Sequence, residues 1–255
     1  MKFKATSYHF DLLKDSDRLS SFYDAISQYD GEGRVAYDLG CGSGVLSYFL
    51  SDYFDEIIAV EIDSKAYECA KDNLSDFKNI TVVNCDVLDY EFPKKADLIV
   101  CEMMDTALID EEELPVLAHA RKFLKDSGKI IPQGIINQAE LVNLEREYVH
   151  WDEGANYEVF SDSITYSKYD FSEDINPNFE EILSFKVKRD GIINGIKLTT
   201  ITKLNDGLVC GPTPMFNPPL LIPLDERIVK SNDLINVKLQ YIMGEGIESI
   251  KTQYS

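Results

Sequence analysis

One short stretch, YDLGCGSGVLS at 37–47, constrains the fold of this chain more than any other part. An apolar, strand-like segment at 35–39 runs into three glycines and then into a helix-like segment at 45–54; the glycines are Gly40, Gly42 and Gly44. Glycine permits a positive φ and lets the backbone approach a ligand closely. The stretch therefore predicts a strand–turn–helix unit that binds a nucleotide-like cofactor.

Acidic residues close the strands next to this turn. Asp38 ends the first strand, and Glu61 ends the next one, where an acid can bind both hydroxyls of a ribose. Asp86 follows a third strand, with Val87 beside it, and is placed to accept a hydrogen bond from an adenine amino group. Dinucleotide-binding folds share the glycine-rich turn, but an acid before the first glycine suits a cationic amino-acid tail better than a pyrophosphate. The pattern resembles the S-adenosylmethionine (SAM)-dependent methyltransferases.

Strands and helices alternate from the N-terminus to Pro132. Strands are predicted at 35–39, 56–62, 80–85, 96–101 and 128–132, and helices at 8–28, 45–54, 64–74 and 111–125. Strands that are apolar on both faces and alternate with helices predict an α/β, Rossmann-like, doubly wound parallel sheet. After Pro132 short β-rich runs replace the helical pattern. We therefore predict a SAM-binding domain at 1–132 and an antiparallel, barrel-like β domain at 133–255.

Composition limits the partners and the location. Among 255 residues, Asp and Glu number 45 and Lys and Arg 25, giving a net charge of −20. Such a charge repels nucleic acid and anionic lipid and attracts cationic partners. The N-terminus has no apolar signal core, and the five cysteines show no metal-ligand spacing. We expect a cytoplasmic protein with free thiols, no bound metal and no membrane association.

The segment CEMMDTALIDEEELP at 101–115 carries the candidate chemistry. Glu102 ends the fourth predicted strand, where an unpaired carboxylate is costly and therefore points to a function. The segment resembles the double-glutamate loop of the protein arginine methyltransferases, which has two glutamates nine positions apart and a methionine two after the first. Glu102, Met104 and Glu111 match that loop. The resemblance implies that Glu102 and Glu111 clamp a cationic nitrogen, whereas acids at 112–113 fit an ordinary helix N-terminus.

The resemblance extends beyond this loop. HFDLLKDSDRLSSFY at 9–23 resembles the family's first helix, which implies that His9 contacts SAM and that Arg18 binds its carboxylate. Segments 149–154 and 221–241 resemble parts of the family's β-barrel. The chain is also similar to prokaryotic proteins described as predicted RNA methylases.

The chain also departs from the family pattern. Because His9 lies so near Met1, we expect the family's N-terminal lid helix to be largely missing. PTPMFNPPLL at 212–221 stands in place of the Thr-His-Trp loop that forms a second wall of the family's arginine pocket. The inserted dimerisation arm is shortened within 161–184, so an arm-mediated dimer is not expected. Three hypotheses remain: a methyltransferase of protein arginine or a similar cation, an RNA or small-molecule methyltransferase, and a SAM-binding protein without turnover.

Overall fold

The first half of the chain is built on a parallel sheet. In the computed structural model, which describes residues 3–29, 34–152 and 154–255, the five strands are β1 Val35–Leu39, β2 Glu56–Glu61, β3 Ile80–Asn84, β4 Ala96–Cys101 and β5 Leu124–Ile131. They pair in the order β3-β2-β1-β4-β5, and every pair is parallel. The strand order reverses beside β1, and ligands bind at such a switch point, beyond the carboxyl ends of the strands. Residue 153 of the barrel-like segment at 149–154 lies outside the described residues.

Five α-helices flank the sheet in the described ranges: α1 Ser7–Leu12, α2 Ser16–Ser27, α3 Val45–Leu50, α4 Ser64–Asn73 and α5 Glu113–Ala120. The single helix predicted at 8–28 is two helices. The helix is interrupted at Asp15. The carboxylate of Asp15 accepts the backbone N–H of Arg18 at 3.0 Å and so caps the N-terminus of α2. A side chain that competes for backbone donors in this way favours a new helix start over a continuous helix.

Two other predicted boundaries shift. α3 ends at Leu50 rather than at 54, and residues 124–125, predicted as the end of a helix, belong to β5. A short 3-10 turn, Arg121–Phe123, separates α5 from β5. Hydrophobic periodicity located the elements correctly, but it does not resolve where the last helical turn gives way to another conformation.

The second half of the chain is antiparallel, as predicted. Its strands are β6 Gly134–Leu144, β7 His150–Trp151, β8 Tyr157–Val159, β9 Ile164–Asp170, β10 Asn178–Lys186, β11 Gly191–Lys203, β12 Val209–Cys210, β13 Leu220–Val229, β14 Leu234–Ile242 and β15 Lys251–Tyr254. The larger sheet follows the order β7-β13-β11-β6-β8, with β12 beside β11 and β9 beside β6. A smaller sheet has the order β10-β14-β15. The predicted fold class, a Rossmann-like sheet followed by antiparallel β structure, is confirmed.

One apolar core runs through both halves. It includes Val100 and Ile109 from the parallel-sheet half together with Leu198 and Phe216 from the antiparallel half. A shared core of this kind fixes the position of one half against the other. The domain division at 132/133 stays a prediction, supported by the change of sheet type there. No helix in the described part of the chain is long and apolar enough to cross a membrane.

Candidate cofactor cavity and acidic groove

A cavity of about 240 Å³ lies beyond the carboxyl ends of β1, β2 and β4, where α1 covers the sheet. Most residues predicted to form the site line this cavity: His9, Arg18, Gly40, Gly42, Glu61, Asp86, Val87, Glu102 and Glu111. The residues that were predicted from the sequence therefore lie at the switch point of the sheet. Asp38 and Gly44 are not among the lining residues.

The glycine turn forms the floor of the cavity. Gly40 and Gly42 have φ of +67° and +55°, a left-handed conformation that favours glycine. A Cβ on Gly42 would lie 2.6 Å from Cδ2 of His9, and one on Gly40 would lie 2.5 Å from Sδ of Met103. Any larger residue would therefore force the ring of His9 or the side chain of Met103 to move, in addition to the strain of the positive φ.

Glu61 supports this turn from the end of β2. Its side chain is 6% exposed; one carboxylate oxygen accepts the N–H of Gly42 at 2.8 Å, and the other accepts the N–H of Asp63 at 2.8 Å. Each oxygen of an ionised carboxylate can accept a further hydrogen bond. Glu61 can therefore hold the turn and still bind two ligand hydroxyls.

Asp38 lies behind the cavity wall rather than in it. It is 1% exposed and accepts the hydroxyl of Ser47 at 2.6 Å. Burial raises the pKa of Asp38 to about 6, although hydrogen bonds from Ser47 act in the opposite direction. Gly44 likewise packs below the turn, where a Cβ would lie 2.6 Å from Leu74. Direct contact between Asp38 and a cofactor stays a prediction.

Two smaller contacts shape the ends of the cavity. Asp86 accepts the N–H of Leu88 at 2.8 Å and so caps the 3-10 turn that begins at Val87. His9 is fixed through its Nδ1, which lies 2.7 Å from the hydroxyl of Thr6. This contact holds the imidazole ring, which lies beside Gly42.

Arg18 and Glu102 form a buried ion pair in which Nη2 of Arg18 donates to a carboxylate oxygen of Glu102. The side chains are only 4% and 12% exposed. Burial opposes the charged guanidinium, but Glu102 keeps the pKa of Arg18 raised. Nε and Nη1 of Arg18 are buried and have no hydrogen-bond partner among the described residues. The sequence suggested separate roles for these two residues, whereas the structure joins them.

The loop after β4 carries the remaining carboxylates and has a strained backbone. Ala107 and Leu108 have φ of +63° and +58°, which non-glycine residues rarely adopt. The N–H of Ala107 donates to the hydroxyl of Thr200 at 2.7 Å, and the hydroxyl of Thr106 donates to the carbonyl of Pro218 at 2.8 Å. Contacts with the antiparallel half therefore hold the loop in this shape, and such strain is concentrated at functional sites.

This loop brings Glu111 to the same cavity as Glu102. Burial, followed by the charge of Glu102, raises the pKa of Glu111. The two glutamates predicted as a pair therefore face one space and repel each other when both are ionised. A cation placed between them would relieve that repulsion.

Glu113 differs most from its sequence interpretation. As a helix N-terminal acid it is expected at the surface, but it is 0% exposed, and neither carboxyl oxygen has a hydrogen-bond partner in the described part of the chain. Burial raises the pKa of Glu113 well above its ordinary value, and nearby Glu102, Asp105 and Glu111 raise it further. Burial also raises the pKa of Asp105 to about 7. Neither residue has a motif that sequence reasoning could have used.

Replacing Glu113 by methionine should stabilise the protein. The folded state holds the Glu113 proton, so wild-type stability falls as the pH rises above the unfolded pKa. The gain from Glu113→Met should therefore be larger at pH 8 than at pH 5, about 1–3 kcal/mol at pH 8. Thermal unfolding measures it, with exposed Glu112→Met as the matched control. A loss of stability at both pH values would mean that the Glu113 carboxyl has a stabilising partner.

A wide groove of about 920 Å³ continues from the cavity between the two halves of the chain. Cavity and groove share Tyr8, Met104, Glu111 and Met215. Four carboxylates line the groove: Asp105, Asp110, Glu111 and Asp152. The indole of Trp151 and four prolines line it as well; the prolines are Pro212, Pro214, Pro218 and Pro219. Sequence reasoning missed Tyr8, and it placed Trp151 in the segment at 149–154 that resembles part of the family's β-barrel. Trp151 does pair in β7, but its side chain also faces this groove.

The chain is similar to several known proteins. A methyltransferase domain model matches residues 36–128. Over 251 residues the chain is 44% identical to a Methanothermobacter thermautotrophicus protein without an assigned function, covering 98% of both chains. A probable histone-arginine methyltransferase of rice, Oryza sativa subsp. indica, is 35% identical over 129 residues, which are 48% of this chain and 24% of the rice protein.

A solved structure extends the similarity to the whole fold. A chain of the Trypanosoma brucei PRMT1 enzyme–prozyme heterotetrameric complex, solved with AdoHcy, matches with a TM-score of 0.82. The match covers 98% of this chain and 96% of that chain at 16% sequence identity, so it concerns the fold.

The methyltransferase domain at 36–128 identifies the chain as a SAM-dependent methyltransferase. Within that class its fold and its N-terminal half are similar to those of the protein arginine methyltransferases, and the resemblance predicted from the sequence is confirmed. SAM is the cofactor that this methyltransferase domain implies. The donor set of the cavity fits this cofactor, because the free guanidinium donors of Arg18 suit a carboxylate and the Gly40–Gly42 turn leaves room for close backbone approach.

Proposed function

We propose that this protein N-methylates a cationic nitrogen, such as the guanidinium of a protein arginine, and that Glu102 and Glu111 clamp the substrate. The observation that carries the proposal is the joint placement of Glu102 and Glu111 on one cavity that opens into an acidic groove. A guanidinium offers planar N–H donors that two carboxylates can bind together.

SAM would supply a methyl group that is already electrophilic. Glu102 and Glu111 would fix the guanidinium plane and draw its positive charge toward the nitrogens that they bind, leaving the third nitrogen richer in electrons. The methyl carbon would bond to that nitrogen as its bond to the cofactor sulfur breaks, with S-adenosylhomocysteine as the leaving group. The nitrogen would then release one proton, so the methylated guanidinium would keep a single positive charge. The acceptor of the released proton would be a carboxylate of this cluster or solvent in the groove.

The cofactor contacts belong to the same proposal. Glu61 would bind the ribose hydroxyls, and Asp86 would accept from the adenine amino group, with Val87 packing beside it. Arg18, supported by the nearby His9, would bind the cofactor carboxylate through its free Nε and Nη1. Asp38 would act on the cofactor's amino group across the turn rather than by direct packing against it.

The groove favours an extended basic polypeptide as the substrate. Asp105, Asp110 and Asp152 continue the negative charge away from Glu111, and Trp151 offers an aromatic face to a cation. The same carboxylates repel phosphate, which disfavours RNA. Plant relatives whose names denote arginine methyltransferases add support for a protein substrate.

Labelled SAM incubated with fractionated cell lysate tests the proposal. Label that survives nuclease but is released by protease, and that migrates as methylarginine after hydrolysis, is the expected result. Label in RNA or in a small molecule would place the chain in the alternative methyltransferase class. SAM binding without any labelled product would favour a sensor or scaffold without turnover.

Glu61→Ala should weaken SAM binding by about 1.5–3 kcal/mol, the range for charge-assisted hydrogen bonds. The variant also loses the bond to the N–H of Gly42, so its melting temperature is measured in parallel. Calorimetric titration gives the affinity. Unchanged affinity in a folded variant would remove Glu61 from the binding site.

The proposed assembly is a monomer or a dimer that forms through a surface other than the family's arm. Residues 161–184, all of which the structure describes, contain β9, a turn and the start of β10, and they include no helix. Multi-angle light scattering should therefore give one chain mass or a dimer that survives deletion of the β9–β10 turn. Five cysteines that are all free support a reducing, cytoplasmic setting.

A further inference from the structure

The proline segment, defined as residues 212–219 between β12 and β13, borders both the cavity and the groove. Met215 lines both spaces, and four prolines of the segment line the groove. The segment belongs to the antiparallel half, but it lies against the turn between α1 and α2 of the other half. The proline segment can therefore contact both the groove, where the substrate would bind, and the cofactor cavity.

The segment is bonded to a single carboxylate in that turn. The hydroxyl of Thr213 donates to Oδ2 of Asp15, and the N–H of Met215 lies 3.3 Å from the same oxygen. The other oxygen of Asp15, Oδ1, accepts the N–H of Arg18 at 3.0 Å and caps α2. One side chain thus links the proline segment to the first turn of the helix that carries the cofactor arginine.

Arg18 depends on the position of that first turn. Its side chain is almost fully buried and reaches the cavity from α2, with Nη2 on Glu102 and two donors without a protein partner in the described ranges. A small rotation of the first turn of α2 would move these donors away from a bound carboxylate. Hydrogen bonds to a cap residue restrict such rotation.

We infer that Thr213 is a positioning residue for cofactor binding: its hydroxyl fixes Asp15, and Asp15 fixes Arg18 in the cavity. Thr213 itself does not line the cofactor cavity and acts through its neighbours. Apolar contact holds the same elements together independently, because Phe216 packs edge-on against Phe22 of α2 with ring centroids 5.7 Å apart. Loss of the hydroxyl should therefore leave the fold intact and loosen only the arginine.

Calorimetric titration with SAM tests the inference without any methyl acceptor. Thr213→Val should weaken SAM binding about fivefold, whereas Thr213→Ser, which keeps the hydroxyl, should stay within about twofold of wild type. Thr252→Val is the matched control. The hydroxyl of Thr252 also donates a hydrogen bond, to the carbonyl of Pro223 at 3.5 Å, but this bond lies outside both the cavity and the groove. Equal affinity of the valine and serine variants would overturn the inference. If valine does not fit, Thr213→Ala replaces it in the same comparison.

A double-variant cycle tests the path through Asp15. Asparagine at position 15 has one side-chain oxygen, so it can replace only one of the two carboxylate oxygens, either the one that accepts from Arg18 or the one that accepts from Thr213. In the Asp15→Asn background, Thr213→Val should therefore weaken SAM binding by clearly less than fivefold. Additive losses would mean that Thr213 acts by another route and would overturn the inference. Because no substrate is used, failure here is distinct from failure of the arginine proposal.

Discussion

Glu102→Gln should lower the methylation rate constant about 100-fold or more, while SAM affinity changes by less than about threefold. Glutamine keeps the shape of the side chain and an oxygen that can accept from Arg18, but it removes the charge that would draw a guanidinium into line. Loss of one preorganised electrostatic group lowers turnover on this scale. Steady-state kinetics with the labelled substrate and calorimetry with SAM separate the two quantities.

The pairing of the two glutamates supplies a second test of the same idea. Glu111→Gln should lower turnover similarly, and the double variant should be about as slow as the slower single one, because the two carboxylates act as one unit. Glu112→Gln is the control: Glu112 is exposed and borders the same cavity, but it is not part of the proposed pair, so this variant should retain nearly full turnover. Full activity of Glu102→Gln would exclude the clamp and favour another use of the scaffold.

Most of the fold could be predicted from sequence patterns because the parallel strands are buried on both faces. Residues 98–101 of β4 are continuously apolar and buried, which suits the centre of a sheet that is covered on both faces. The glycine turn was equally clear, since Gly40 and Gly42 occupy positions where a Cβ would clash. Local chemistry of this kind is visible in a single sequence.

The features that sequence reasoning missed depend on contacts between distant segments. Met215 lines the cavity, and its N–H donates to Asp15, 200 positions earlier in the chain. Glu113 looks like a surface acid on its helix, but it is fully buried in the folded chain. The ion pair of Arg18 with Glu102 spans 84 positions in the same way.

That ion pair changes how the acidic loop is understood. Glu102 would interact with two cations, Arg18 inside the protein and the substrate nitrogen in the cavity. One carboxylate oxygen of Glu102 accepts from Arg18, and the other could accept from the substrate nitrogen. The free Nε and Nη1 donors of Arg18 could bind a cofactor carboxylate at the same time. The cofactor and the substrate would then bind to opposite ends of one charge network, so each should affect the affinity of the other.

Arg18→Met should both destabilise the protein and weaken SAM binding. The change leaves Glu102 largely buried without its cation, which costs about 3–5 kcal/mol of the free energy of unfolding. SAM affinity should fall about 50- to 100-fold, because a charge-assisted contact with the cofactor carboxylate is lost. Arg34→Met is the control, since its ion pair with Asp55 is exposed and should contribute about 0.5 kcal/mol or less.

The combination of Arg18→Met with Glu102→Gln separates the two effects of the arginine. Removing the orphaned charge should restore most of the lost stability, measured by urea unfolding, because the unpaired carboxylate is the main cause of the loss. SAM affinity should stay low, since glutamine at 102 cannot replace the guanidinium donors. Recovery of affinity together with stability would mean that Arg18 supports the cavity but does not bind the cofactor. Persistent instability would instead mean that packing of the arginine stem, rather than its charge, holds α2 against β4.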